Sequence, residues 1–276
     1  TIHDFMKPLG FGQITGIDIN GEVRGVLPSQ DWKRAYYKKR DQQKWYAGET
    51  ISLGIGQGYN SFTMLQLAHA TATVANNGIA RKPQLVIATR DSSTHASVAV
   101  PADPPIDLGY KQQNIDVIRN AMVGVTQEGT SRFVFAGAGY LSGGKTGTAQ
   151  AVGLSSKNKY NAAKLEEHQR DHSLYIAFAP AEDPQIAVAV IVENAGFGSA
   201  HAAPIARRVF DYWLMGQYPN AADMAAVKIG KVGAPAGKPL LAAEMPWPPQ
   251  PPGTTATATA TQDKLKEPAK ASRAVR

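Results

Sequence analysis

The residues best suited to chemistry lie together in Ser142-Gly143-Gly144-Lys145-Thr146-Gly147-Thr148-Ala149-Gln150. Glycine-flanked and rich in Thr and Ala, residues 144–152 read as a strand. Successive side chains on a strand alternate, so Lys145 and Gly147 share one side and Thr146 and Thr148 the other. Gly147 has no side chain, which leaves room for a ligand's backbone to lie against the strand. A strand edge offers amide donors and carbonyl acceptors to an extended peptide. Lys145 would add a fixed positive charge and Thr148 a hydroxyl for a ligand carboxylate. The Thr148 N–H is placed to act as an oxyanion donor, a contribution of typically ~3 kcal/mol in a transition state.

Other constellations compete and are set aside. Gly139 to Thr146 satisfies G-x-x-x-x-G-K-[ST] letter for letter. That motif cradles phosphate where a strand runs into a helix, whereas Gly147 and the β-prone residues after it continue a strand. Ser156-Lys157-Asn158-Lys159 fits both S-x-x-K and S-x-N by letter. A nucleophilic serine should open a helix that puts its lysine one turn on, and this stretch reads as a polar loop. His168 and His172 are four apart but have no third ligand in view, and read as surface or loop residues. There are no cysteines, which excludes disulfides, thiolate catalysis and Cys-based zinc sites. No metal or cofactor is expected.

Three segments with helical periodicity surround this strand. The first follows Tyr59, with Thr63 and Gln66 at capping-box spacing and Asn76-Asn77-Gly78 as its stop. Leu65, Ala68, Ala72 and Ala75 line one face. The second covers about 111–127, with Ile115, Ile118, Met122 and Val125 at helical spacing. The third covers about 202–216, with Pro204 in its first turn and an apolar face of Ile205, Val209, Phe210, Trp213 and Leu214. Residues 174–179 and 186–193 read as two further strands, buried on both faces or nearly so, joined by the turn Ala181-Glu182-Asp183-Pro184. The body is therefore expected to be α+β, an antiparallel sheet flanked by helices.

The 276 residues suffice for one large domain or two small ones, and 43% apolar content is ordinary for a globular chain. The longest apolar run is Ile186–Val192, well short of the roughly 20 residues that cross a bilayer. No signal-peptide pattern opens the chain, which starts at Thr1 and is expected to be part of something longer. The net charge is +7, and from Asn220 onward eight basic residues face four acidic ones. Seven prolines stand in 235–252, and Thr and Ala alternate over 254–261. Such composition favours extended backbone and buries too little apolar surface to offset chain entropy. Residues 220–276 are expected to be a disordered Pro-rich basic tail after a body of 1–219. A solubilising spacer is the simpler role for it; attraction to an anionic polymer or lipid surface, or a proline-recognition ligand, are the sharper ones.

The Lys145-Thr146-Gly147-Thr148-Ala149 run resembles the third motif of penicillin-binding transpeptidases and serine β-lactamases, whose set is S-x-x-K, S-x-N and K-T-G. Landmarks in the same order strengthen the likeness. They are Leu9-Gly10-Phe11-Gly12 with Thr15-Gly16-Ile17-Asp18, then Gly54-Ile55-Gly56-Gln57-Gly58-Tyr59, then Glu128-Gly129-Thr130. Tyr160-Asn161-Ala162, Arg170-Asp171-His172 and Phe178-Ala179-Pro180 are similar to the class B transpeptidases in particular. The resemblance covers about 1–217. It implies a penicillin-binding transpeptidase fold and peptidoglycan D,D-transpeptidation in cell-wall synthesis and cell-shape maintenance. It further implies stem peptides and β-lactams as ligands, the cell-wall elongation machinery as partner, no nucleic acid and no cofactor. The implied location is the periplasmic face of the bacterial inner membrane, through an anchor absent from this chain. Lys145, Thr146, Gly147 and Thr148 would bind substrate, and the Thr148 N–H would be half of the oxyanion hole.

The family's S-x-x-K and S-x-N lie upstream of the segment where this chain begins. The chain is thus expected not to acylate with penicillin on its own and to be poorly stable alone. Two alternatives stay open: a non-catalytic penicillin-binding or sensor-like module or truncated relic, and, as the weaker one, a serine β-lactamase-like hydrolase. The pattern around 54–58 and 178–180 argues against the hydrolase.

Overall fold

The computed structural model describes residues 1–151, 165–229 and 233–241. Four short helices come first: α1 (Ile2–Met6), α2 (Gln30–Tyr36), α3 (Arg40–Gln43) and α4 (Ala47–Gly54). The longer α5 (Met64–Ala75) follows. Its start is the capping box expected from Thr63 and Gln66. The Thr63 hydroxyl accepts from the Gln66 N–H at 3.1 Å, and the Gln66 side chain accepts from the Thr63 N–H at 3.0 Å. Two small antiparallel ribbons come next, β1 (Ile79–Ala80) with β4 (Ile106–Asp107), and β2 (Ala88–Arg90) with β3 (Ser97–Ala99). The helix α6 (Gln112–Gln127) and the single turn α7 (Arg132–Phe135) then lead into the central sheet.

That sheet runs β5-β6-β7, all antiparallel, from β5 (Gly143–Ala149), β6 (His172–Ala179) and β7 (Ile186–Val192). The register sets Lys145 opposite Ile176 and Thr148 opposite Ser173. The expected hairpin through Ala181-Glu182-Asp183-Pro184 joins β6 to β7. β5 starts one residue earlier than expected and ends at Ala149. Residues 152–164, including Ser156-Lys157-Asn158-Lys159 and Tyr160-Asn161-Ala162, lie outside the described residues. Among the described residues β6 is the central strand and β7 the second edge, and β7, though it has helices on both faces, is half-buried where β6 is largely buried.

Helices cover both faces of the sheet. Tyr175, Ala177 and Ala179 share one face by the strand period and pack against α8 (Ala202–Met215). Ala202, Ala203 and Ala206 let α8 approach closely, and Phe210 fills the space beside them. This overturns part of the expected apolar face. Phe210 is buried and Leu214 packs against the core, but Ile205 and Val209 are partly exposed and Trp213 is 61% exposed. The small residues seat the helix, and the buried Arg207–Asp211 pair occupies the position an apolar reading would skip. α5 packs on β7 and β6, and α6 on β5. The buried residues of α5 are Gln66, Ala70, Thr71, Thr73 and Ala75; Ala72 is exposed. Threonine is tolerated there because Thr71 and Thr73 donate to the Leu67 and His69 carbonyls, at 2.7 and 2.9 Å, and so bury no free hydroxyl. On α6, Ile115 is buried and Ile118 is exposed.

The body does not stop at residue 219. β8 (Gln217–Tyr218) pairs with β9 (Leu240–Leu241), and α9 (Ala221–Lys228) lies between them in sequence. Asn220 caps α9 by accepting from the Asp223 N–H at 2.9 Å. Asp223 is buried, accepts from Arg208 Nε of α8 at 2.8 Å and from the Ala236 N–H at 3.0 Å. The expectation that the tail begins at 220 is therefore corrected for 220–229 and 233–241: a capped helix and a buried ion pair hold these residues to α8. Residues 242–276, with most of the proline and the Thr-Ala alternation, lie outside the described residues.

Candidate functional site

Among the described residues β5 is an edge strand, and Lys145, Thr146, Gly147 and Thr148 stand side by side along it. Residues 143–149 are strand throughout, with no helix opening at Lys145, so the phosphate-loop reading fails on geometry. The glycines before Lys145 are there for packing. A Cβ on Gly143 would run into the Phe178 ring, and one on Gly144 into the Tyr175 phenol. Tyr175 fills the space under Gly144 and its hydroxyl lies 2.9 Å from Ser131 Oγ. Burial pushes that phenol up to about 12, with the Ser131 bond acting against the rise, so it stays neutral and keeps its hydrogen bond at physiological pH.

Lys145 is exposed, and its Nζ donates to the Thr146 carbonyl at 2.9 Å. Thr146 Oγ1 lies 3.2 Å from Thr130 Oγ1, a residue from the turn that ends α6. The Thr148 carbonyl points out of the sheet and accepts from Gln57 Nε2 at 2.9 Å. Groups two residues apart on a strand face the same way, so the Thr146 and Thr148 carbonyls both belong to the free edge. Gly147 does leave room for a close approach, but the chain's own Gly198 takes it. A Cβ on Gly198 would stand 2.7 Å from the Gly147 carbonyl oxygen.

The loop that delivers Gly198 is fastened to the start of β6. The Gly196 N–H donates to the Asp171 carbonyl at 2.8 Å, the Asn194 N–H to His172 Nδ1 at 3.0 Å, and Ser173 Oγ to the Phe197 carbonyl at 3.0 Å. His172 thus sits at the start of a strand, while His168 lies in the short 3-10 turn Glu167–Gln169 beside Glu166. Among the described residues no group of three His, Asp or Glu side chains could hold a metal ion.

Gln57 stands between Gly56 and Gly58, both at positive φ (76° and 72°). Its backbone is held: its N–H donates to the Ser52 carbonyl at 2.9 Å, and its carbonyl accepts from Asn60 Nδ2 at 3.1 Å. Beneath it, Lys33 is buried among the Trp45, Tyr46 and Tyr59 rings and pairs with Glu49. Glu49 also accepts from the Tyr59 hydroxyl at 2.8 Å and from the Tyr46 N–H at 2.9 Å. Burial alone would raise the Glu49 carboxyl; the Lys33, Tyr46 and Tyr59 bonds outweigh it and hold it below the usual carboxylate range. Burial and Glu49 together push the Tyr59 phenol well up.

The structure therefore brings two residues to the strand that sequence reasoning did not name as site residues, Gln57 and Thr130. Both lie in glycine-bounded landmarks, Gly56-Gln57-Gly58 and Gly129-Thr130, whose spacing was the available signal. Among the described residues no hydrogen bond joins a serine hydroxyl to a lysine amine. The arrangement can bind an extended chain along an edge and place a cation beside it. Among the described residues no helix is long and apolar enough to cross a membrane.

Comparison with known proteins agrees with this geometry. Residues 1–211 match the penicillin-binding protein transpeptidase domain. The chain is 40% identical over 225 residues to the peptidoglycan D,D-transpeptidase MrdA of Haemophilus influenzae, covering 79% of this chain and 33% of that protein. Against MrdA of Escherichia coli K12 it is 37% identical over 230 residues, covering 82% and 35%. The fold is similar to Pseudomonas aeruginosa PBP2, with a TM-score of 0.61 and 40% identity over 78% of this chain and 43% of that one. It is also similar to PBP2 in the Helicobacter pylori complex with MreC, with a TM-score of 0.61 and 25% identity over 78% and 36%. The chain spans about a third of the length of the curated relatives it matches. The match over residues 1–211 and the identity to MrdA show that the chain belongs to the penicillin-binding protein transpeptidase family.

Proposed function

We propose that this chain is the substrate-strand wall of a peptidoglycan D,D-transpeptidase, a target of β-lactams. The observation that carries the reading is the outward-facing edge of β5, where the Thr148 carbonyl leaves the sheet beside the exposed Lys145. A stem peptide ending in D-Ala-D-Ala adds along this edge as an extra strand. Lys145 supplies positive potential, Thr146 and Thr148 line the peptide, and the Thr148 N–H is one of two oxyanion donors. The nucleophilic serine, its lysine and the S-x-N motif are supplied from outside this chain. The serine attacks the penultimate D-Ala carbonyl, terminal D-Ala leaves, and an amine of a neighbouring strand resolves the acyl-enzyme into a crosslink.

By the same reading the protein works at the periplasmic face of the inner membrane with the cell-wall elongation machinery. The similar H. pylori PBP2 in complex with MreC supports that partner class. So does the likeness, at 30% identity, to a chain in a structure titled for polymerization and crosslinking by a peptidoglycan synthase complex. Residues 1–219 are the catalytic-domain portion, extended by the packed residues 220–229 and 233–241.

Labelling with a fluorescent penicillin tests this. The native protein carrying the chain becomes acylated at a serine outside residues 1–276, and the isolated chain does not. Lys145→Ala in that protein slows acylation roughly 10- to 100-fold, the worth of a charge-assisted hydrogen bond. Acylation of the isolated chain at its own serine would overturn the assignment. Reversible penicillin binding with no covalent product in the native protein would instead select a binding module without chemistry.

A further inference from the structure

The edge of β5 is already occupied. An edge strand carries a row of unpaired amide groups, and here the outward carbonyls find donors within the chain. Lys145 Nζ lies on the Thr146 carbonyl at 2.9 Å, and Gln57 Nε2 on the Thr148 carbonyl at 2.9 Å. The Gln57 contact joins residues 91 apart in sequence. Gln57's carboxamide is a primary amide, so its N–H is chemically the donor that a peptide strand would present.

We propose that Gln57 is a displaceable cap on the ligand edge, standing in for the backbone N–H of the incoming peptide until the peptide arrives. The proposal rests on the substrate reading given above. It follows from which parts of the loop can move. The Gln57 backbone is bonded on both sides, to Ser52 and to Asn60, and α4 behind it is anchored by the buried Lys33–Glu49 pair and by Tyr59. The side chain alone is free to leave, by rotation about its own bonds, with no loop opening.

The geometry also identifies the ligand group that replaces it. In an antiparallel pairing a residue that faces one partner exchanges both its N–H and its C=O with it. If the scissile carbonyl meets the Thr148 N–H, the N–H of that same penultimate D-Ala meets the Thr148 carbonyl. Binding is then an exchange of one amide donor for another at Thr148, with little net gain from that bond. A ligand with an ester oxygen at this position still needs the space that the Gln57 amide holds, so it displaces Gln57 and brings no donor to the Thr148 carbonyl.

The test pairs two ligands with two proteins. The ligands are an acyl-D-Ala-D-Ala peptide and its analogue with an ester oxygen in place of the penultimate N–H. The proteins are the complete native protein and its Gln57→Met variant, which keeps side-chain length but has no donor. Equilibrium binding is measured before either ligand is consumed. Gln57→Met has no bond to give up and should bind the amide peptide roughly three- to tenfold more tightly than the native protein does, while both proteins bind the ester more weakly than the amide. Equal affinity of the two proteins for the amide peptide overturns the cap and leaves the substrate reading intact. Failure of both proteins to bind either ligand overturns the substrate reading, and the cap with it. Should Gln57→Met fail to fold, the Gln57 side-chain amide signals of the native protein decide by NMR. A shift toward free-amide positions on saturation with either ligand supports displacement. Unmoved signals refute it.

Discussion

Thr130 and Thr146 hold their hydroxyls 3.2 Å apart at the boundary between α6 and the ligand strand. One of the two donates to the other, which leaves the second proton free to point along β5 toward a ligand. Thr130→Val keeps the shape and removes the partner. Under the proposed function it should slow β-lactam acylation of the native protein about two- to tenfold, the worth of one neutral hydrogen bond, while Thr130→Ser restores the rate. The stopped-flow acylation rate and the melting temperature, read together, separate this from a loss of fold. Gly198 presents a steric case. Ala there would press on the Leu174 and Gly147 carbonyls, so Gly198→Ala should cost about 1–3 kcal/mol by urea unfolding and loosen β5. The sequence made Lys145 to Thr148 legible because their types and alternation are local. Gln57 and Thr130 were visible only as landmarks, since what joins them to the strand is tertiary. Gln66 shows the same limit. Its capping box could be read from spacing, but its second role could not: its amide also donates to the Gln13 and Arg24 carbonyls, at 2.5 and 2.8 Å, and pins the opening segment to α5.

α9 and β9 belong to the body through one buried carboxylate. Burial would raise Asp223, but Arg208 and the Ala236 N–H outweigh it and hold its folded value below the ordinary carboxylate range. A lowered value in the fold means that its contribution is complete above the unfolded carboxylate range, near pH 4, and is lost as pH falls through the folded value. The hydrogen-exchange protection factors at 221–228 and 240–241, taken against the intrinsic rate at each pH, should therefore fall on acidification below about pH 4. Asp223→Asn should show fast exchange in these segments already at neutral pH. Equal protection of the variant at neutral pH would contradict the argument. Asn220 and Asp223 formed a readable cap, yet proline content further on drew the tail boundary too early. The α8 face failed for a different reason. Periodicity counts large apolar residues, whereas a helix lying on a sheet can be seated by alanines, with Trp213 left outside.

At the level of the whole molecule, among the described residues the central sheet has three strands and two edges with no further strand paired to them, and α8 leaves Ile205, Val209 and Trp213 at least partly exposed. Burial supplies most of the favourable free energy of folding, and these surfaces supply less than their size allows. The isolated chain should accordingly unfold over a broad transition below the 45–65 °C typical of mesophilic domains, at roughly that scale. Calorimetry of residues 1–276 showing one sharp transition inside that range would contradict this. The α+β class and the order of the landmarks were readable in the sequence because helices, hairpin and glycine turns leave local patterns. Which edges stay open was not, because strand neighbours depend on residues far apart in the chain. The two side chains along β5 bear on this openness in the absence of any ligand. A bare strand edge is a template on which a second copy of the chain can pair backbone to backbone. By covering the Thr146 and Thr148 carbonyls, Lys145 and Gln57 make that pairing costly, and the charge on Lys145 repels its twin. Under the proposed function, Gln57, the donor that yields to a substrate, and Lys145, the cation that stays beside it, thereby also work against neighbouring molecules joining sheets.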